Sequence, residues 1–316
     1  MEGAGGADLA IHVRDLHKSY GEHEAVRGID LDIEVGEIFG FLGPNGAGKS
    51  TTIEILEGYR QRTQGEAWVL GADPGRPTRA WRERIGLVLQ ESELEPTLTV
   101  RETVTMFSDF YPRPRPVDET IELVGLQEKR DARIGTLSGG QRRRADVAVA
   151  IVGDPELVFL DEPTTGFDPS ARREAWTMIE GLKKLGKTVF LTTHYMDEAQ
   201  HLADRVAILA AGKVVARGRP DELDAGAEQA TVIRFRVPSG VTDEQLRSAA
   251  QSAVAIAGSE ASIQCRDAQD VLYRLLGWAE REGQRLEALE VQRPSLEDVF
   301  LQLTGAARTT PEEAAA

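Results

Sequence analysis

Residues 43–51 read GPNGAGKST and follow directly on the apolar run Ile38, Phe39, Gly40, Phe41, Leu42. An apolar strand that ends in G-x-x-x-x-G-K-[ST] and opens a helix is a phosphate-cradling P-loop. Its glycines let backbone N–H groups crowd around an anion, and the helix N-terminus adds its dipole. Gly43, Pro44, Asn45, Gly46, Ala47, Gly48 and Thr51 supply the cradle, Lys49 is placed to reach β- and γ-phosphates, and Ser50 to ligate Mg²⁺. Helix-forming residues Thr51, Thr52, Ile53, Glu54, Ile55 and Leu56 follow in the required order. A Gly-rich turn with a surface lysine would not need that order. The motif therefore implies an α/β chain that grips nucleotide phosphates, and by itself says nothing of what the energy is used for.

Composition narrows the class. A chain of 316 residues has room for two domains and needs no staples. Cys265 is the lone cysteine, so an intrachain disulfide is excluded and its thiol reads as packing. Residues 1–10, MEGAGGADLA, lack a basic segment followed by an apolar one, and no apolar run approaches the roughly 18 residues of a membrane span. A cytosolic chain with no transmembrane segment of its own is expected. The 37 basic residues against 52 acidic ones leave a net charge of −15, which opposes non-specific binding to nucleic acid or anionic lipid. The triplet Arg142, Arg143, Arg144 reads equally as a solvated helix face or as a phosphate-facing patch.

Along the chain, Leu9–Leu16 and Ala25–Val35 alternate apolar and polar residues and predict antiparallel strands with a turn near Gly21 and Glu22. Tyr20 could stack on a base, although a strand-end aromatic filling a gap is the plainer reading. Short strands are expected at Gly65–Gly71 and Ile85–Gln90. Gln90 ends the second where its amide could reach a metal or an attacking water, or simply terminate the strand. Thr97–Phe110 and Val117–Leu126 have helical spacing and are parted by YPRPRP (111–116), which forbids helix. Leu137–Gln141 spells LSGGQ before a helical pattern over 142–152. Ser138 can cap that helix, and Gly139, Gly140 and Gln141 leave amides exposed at its positive end, forming a second anion site. Leu157–Glu162, LVFLDE, reads as a buried parallel strand ending in two carboxylates, at the edge where open α/β sheets bind ligands. Asp161 is suited to hold Mg²⁺ through water and Glu162 to act as general base. Thr188–Thr193 is a further parallel strand, and His194 at its end is placed to hydrogen-bond a γ-phosphate. Residues 206–209 and 213–216 look like a closing hairpin.

The ordered set GPNGAGKST, Gln90, LSGGQ, LVFLDEP, Asp168 and His194 resembles the ATP-binding subunit of ABC transporters over about the first 220 residues. The resemblance implies an α/β P-loop cassette over 1–222, with a RecA-like core, an antiparallel β subdomain and a helical subdomain at about 91–150. Tyr20 would stack on adenine, Gln90 would contact Mg²⁺ and the membrane partner, and Asp168 would lie at a dimer interface. Phe167 stands where the family more often has Leu. ATP and Mg²⁺ are the implied cofactors.

Residues 228–305 read as β-α-β-α-β-α, with strands at 230–237, 261–266 and 285–291 and helices at 242–255, 268–281 and 295–303. This would be a small α+β C-terminal domain, before a disordered tail at 306–316. PSLEDVFLQLTG (294–305), THYMDEA (193–199) and EGYR (57–60) are similar to the daunorubicin-resistance branch of exporter subunits.

In the family that the chain resembles, the P-loop of one copy faces the LSGGQ of another, so with one of each per chain the resemblance implies a homodimer that sandwiches two ATP head to tail, docked at the cytoplasmic face of the cell membrane on a separate transmembrane permease. Lys49, Glu162 and His194 would be its catalytic groups. Export of a drug or other hydrophobic compound is expected. The alternatives are export of lipid or polysaccharide, or a soluble ABC ATPase acting on nucleic acid or ribosomes. Such soluble proteins usually carry two cassettes, coiled coils or zinc-type cysteines. No nucleic-acid partner is expected.

Overall fold

The computed structural model describes residues 9–89, 93–226, 231–238, 240–265, 267–292 and 300. Gln90, the N-terminal residues 1–8, most of the 294–305 segment with its expected helix, and the tail at 306–316 lie outside them. The chain divides into two compact units, Met1–Pro220 and Asp221–Ala316.

The first unit opens with β1 (Leu9–Tyr20), β2 (His23–Glu34), β3 (Ile38–Leu42), α1 (Lys49–Leu56), β4 (Gln64–Val69), α2 (Arg79–Arg82) and β5 (Ile85–Val88). It continues with α3 (Val100–Ser108), α4 (Val117–Leu123), α5 (Gly139–Ile151), β6 (Leu157–Asp161), α6 (Pro169–Lys184), β7 (Thr188–Thr193), α7 (Met196–Leu202), β8 (Arg205–Ala210) and β9 (Lys213–Gly218). The order β5-β6-β7-β3-β8-β9 forms a six-stranded sheet, parallel except for β9, and β2-β1-β4 forms an antiparallel sheet.

The parallel strands bury both faces, so apolar residues run continuously along them and each face takes alternate positions. Phe39, Phe41, Phe159 and Phe190 face the antiparallel sheet's Ile11, Val13 and Ile29 and the helix residues Ile53 and Leu56. Phe190 stands 5.5 Å from Phe41 and 5.6 Å from Phe159, centroid to centroid, so three strands share one aromatic row. Val158, Leu160, Val189 and Leu191 face the other way, against Val147 and Ile151 of α5 and Ile179 and Leu182 of α6. Thr99 and Glu102 form a capping box at the start of α3, and residues 111–116 stay out of helix as their prolines require.

The second unit contains β10 (Thr231–Arg236), α9 (Asp243–Ala250), β11 (Val254–Ala257), β12 (Glu260–Cys265), α10 (Ala268–Arg281) and β13 (Glu287–Gln292), preceded by α8 (Pro220–Gly226). Its antiparallel sheet runs β11-β12-β10-β13 around Ile233, Phe235, Leu246, Ile263 and Leu275. The helix expected over 242–255 ends at Ala250, where Gln251 turns left-handed at φ 49°, and β11 takes the rest. Val254 and Ile256 supply the β-branched alternation, and Gly258, at φ 61°, makes the two-residue turn that folds β11 back on β12. Cys265 is buried, and burial pushes its thiol above the ordinary range, in keeping with packing.

Candidate nucleotide site

The loop after β3 owes its path to two bare glycines. A Cβ on Gly43 would sit 2.5 Å from the Leu209 carbonyl oxygen, and one on Gly48, whose φ is 106°, 2.5 Å from that of Ala25. Gly48 is the N-cap of α1 and offers no side-chain cap, so the helix's first amides are left to an external anion. Lys49, 6 % exposed, folds inward. Its Nζ donates to the carbonyls of Gly43 at 2.8 Å and Pro44 at 3.3 Å and lies 3.7 Å from Glu162 Oε1. Burial pushes the ammonium below its ordinary pKa, and the Glu162 and Asp161 carboxylates oppose that shift.

At the end of β6, Asp161 accepts a short hydrogen bond from the Thr192 hydroxyl. Burial raises its pKa, and neighbouring Glu162 adds to the rise. Glu162 has a left-handed backbone at φ 45°, and its amide donates to the Thr192 carbonyl at 3.1 Å and the Thr192 hydroxyl at 3.0 Å. His194 Nδ1 stands 3.4 Å from Glu162 Oε1, an ion-pair distance without hydrogen-bond alignment. That contact lowers the Glu162 pKa most, with Lys49 assisting, so the carboxyl is ionised at neutral pH.

Tyr20, Asn45, Gly46, Gly48, Lys49, Ser50, Thr51, Glu162 and His194 line one cleft of about 620 Å³. Tyr20 does not fill a gap. The residue is 41 % exposed, with the Lys18 ammonium 5.1 Å and the Arg60 guanidinium 5.3 Å from its ring centroid.

Ser138, Gly139, Gly140, Gln141 and Asp168 line a second hollow of about 920 Å³ that also touches Glu162. Ser138 Oγ accepts from the Gln141 amide at 3.2 Å while the Ser138 amide donates to Gln141 Oε1 at 3.1 Å, a reciprocal cap that leaves the Gly139 and Gly140 amides outside it. Asp168 caps α6, its Oδ1 accepting from the amides of Ser170 at 2.8 Å and Ala171 at 2.9 Å. The arginine triplet fits neither alternative offered by the sequence as a group. Arg143 donates to the carbonyls of Leu89 and Asp161, and Arg144 pairs with Glu174. Sequence reasoning also passed over Thr192. Its signal was a polar pair, Thr192 and Thr193, that follows the apolar run Val189–Leu191 and stands beside His194.

No cluster of three His, Cys, Asp or Glu residues able to hold a metal occurs among the described residues. Hard oxygens lie in and beside the cleft, the Ser50 hydroxyl and Glu162 carboxylate lining it and the Asp161 carboxyl one residue before, and donors of this kind suit Mg²⁺. Among the described residues no helix is long and apolar enough to cross a membrane.

A P-loop at the C-terminal edge of a parallel sheet, an acidic pair at the same edge two strands away with β7 between, and a separate capped helix end with free amides define a nucleotide-binding cassette. The ABC transporter family model matches residues 26–165, and a C-terminal domain model of ABC transporter domain-containing proteins matches residues 231–295. Over 301 residues the chain is 37 % identical to the Nod factor export ATP-binding protein I of Burkholderia orbicola, covering 93 % of this chain and 97 % of that protein. Its fold is similar to cbiO1 of Clostridium perfringens, part of an ABC transporter complex, with TM-score 0.63, 29 % identity, and 70 % and 92 % of the two chains covered. It also resembles an ATP-binding cassette solved as a dimer in a post-hydrolysis state with ADP and Pi, at TM-score 0.60 and 26 % identity, covering 66 % and 98 %. The chain belongs to the ABC transporter family as an ATP-binding subunit, and it is an ATPase.

Proposed function

We propose that this ATPase energises export of a hydrophobic compound through a separate membrane permease, as a head-to-tail dimer that closes on two ATP. The observation that carries the reading is the separation of two half-sites: Lys49, Glu162 and His194 share one cleft, whereas Ser138 and Gly140 open on another. The P-loop holds phosphates from one side only, and a second helix terminus brought by another copy would supply charge stabilisation from the other. The similar cassette solved as a dimer with ADP and Pi supports dimerisation of such cassettes. The Nod factor export relatives support export as the direction of transport. The position is then peripheral, at the cytoplasmic face of the membrane.

Within the cleft, Lys49 would turn from the Gly43 and Pro44 carbonyls to the phosphates, and Tyr20 would stack on the base. Glu162 would accept a proton from the attacking water, with His194 beside it contacting the γ-phosphate. Ser50 and Asp161 would hold Mg²⁺, whose chemistry is to neutralise charge on the phosphate oxygens. Gln90 would complete that set, and Asp168 would face the partner copy. Glu162→Gln tests the assignment. ATP binding should persist while turnover falls roughly 10²- to 10⁴-fold, the usual worth of a general base. Hydrolysis near the parent rate would remove Glu162 from that role.

A further inference from the structure

We infer that Arg143 is a positioning residue that sets the backbone of Glu162 from the helix carrying Ser138. The inference rests on the reading of Glu162 given above. Arg143 lies just over one turn into α5, and its Nη2 donates to the Asp161 carbonyl at 2.6 Å while Nη1 donates to the Leu89 carbonyl. β5 and β6 pair in register at Val88 and Leu160, so Leu89 and Asp161 are the next residues along two adjacent strands. A planar guanidinium presents donors at a fixed spacing and can bridge two such oxygens, which a single ammonium does less well.

The peptide unit joining Asp161 to Glu162 is thereby held at both ends. Its oxygen accepts from Arg143, and its N–H donates to the Thr192 carbonyl at 3.1 Å. That plane is one of the two whose relative orientation sets φ and ψ at Glu162, and φ is left-handed there, at 45°. Few residues other than glycine remain in that region unless their surroundings impose it. A movement of the Ser138 helix would therefore be felt at the carboxylate through one side chain.

The test uses the full chain with Arg143→Met, Arg143→Lys, Glu162→Gln and the double variant Arg143→Met/Glu162→Gln. Turnover, equilibrium binding of a fluorescent ATP analogue and thermal melting are followed for each. Arg143→Met should lower kcat on the order of 10²-fold, the scale of a misplaced catalytic group, with nucleotide affinity held to about twofold. Arg143→Lys should recover part of the rate. In the double variant the residual rate should equal that of Glu162→Gln alone, because a residue acting through the carboxylate has nothing left to position. Turnover of Arg143→Met within about twofold of the parent, a parallel loss of affinity, or losses that multiply in the double variant would each overturn the proposal. A fully active Glu162→Gln would instead bring down the reading of Glu162, and this proposal with it.

Discussion

Glu57 closes α1 in a buried position, and burial with the nearby Asp161 and Glu54 charges pushes its pKa up to about 8. The folded chain therefore binds a proton that the unfolded chain, near the ordinary value of 4.5, has already released. The contribution to stability is full below the unfolded value and is lost as pH rises through about 8. Glu57→Gln should thus melt with the parent near roughly pH 5 and above it near roughly pH 9, by the equivalent of a few kcal/mol. Equal melting curves at the higher pH would show that Glu57 is solvated as a carboxylate. The sequence shows Glu57 only as a letter in EGYR, because its burial depends on elements brought over it from elsewhere in the chain.

At the scale of elements, the legible parts of the site were those written contiguously. The P-loop, the Ser138 turn and the acidic end of β6 each carry their chemistry within a few residues, and the structure gathers Lys49, Glu162 and His194 as their places at strand ends require. What escaped were partnerships across the chain: Thr192 lies 31 residues from Asp161, and Arg143 lies 54 from Leu89. In the second unit the apolar spacing of 242–255 continues smoothly past Ala250, and the break between α9 and β11 is marked by the left-handed Gln251. A local pattern cannot express a strand whose partner follows it. The junction of β3 with α1 gives a sharp test of packing. Gly43→Ala would press a methyl to 2.5 Å from the Leu209 carbonyl oxygen. Relieving it should cost about 1–3 kcal/mol in denaturant unfolding and weaken ATP binding as the loop shifts. Unchanged values for both would mean that β8 yields without strain.

For the whole molecule, the Ser138 helix end and the P-loop cleft form distinct hollows of one chain, so the proposed assembly requires a second copy. In a Glu162→Gln background, light scattering should report a dimer that appears with ATP, and adding Ser138→Arg should abolish it. A bulky cation at that helix end blocks both the close approach and the amides. ATP-dependent dimerisation of the double variant at parental strength would refute the sandwich. The net charge of −15 makes the encounter between copies repulsive, so dimerisation should strengthen with added salt up to the point where the ion screens ATP contacts.

The left-handed backbone at Glu162 sets fitness against robustness. A branched or extended side chain in that conformation costs about 1 kcal/mol or more, and glycine occupies it freely. Glu162→Gly should therefore melt no lower than the parent, and by the same token hydrolyse nothing. Variants enriched solely for heat resistance would drift toward inert chains at this position. A screen for sturdier forms of the protein has to couple survival to turnover from the first round.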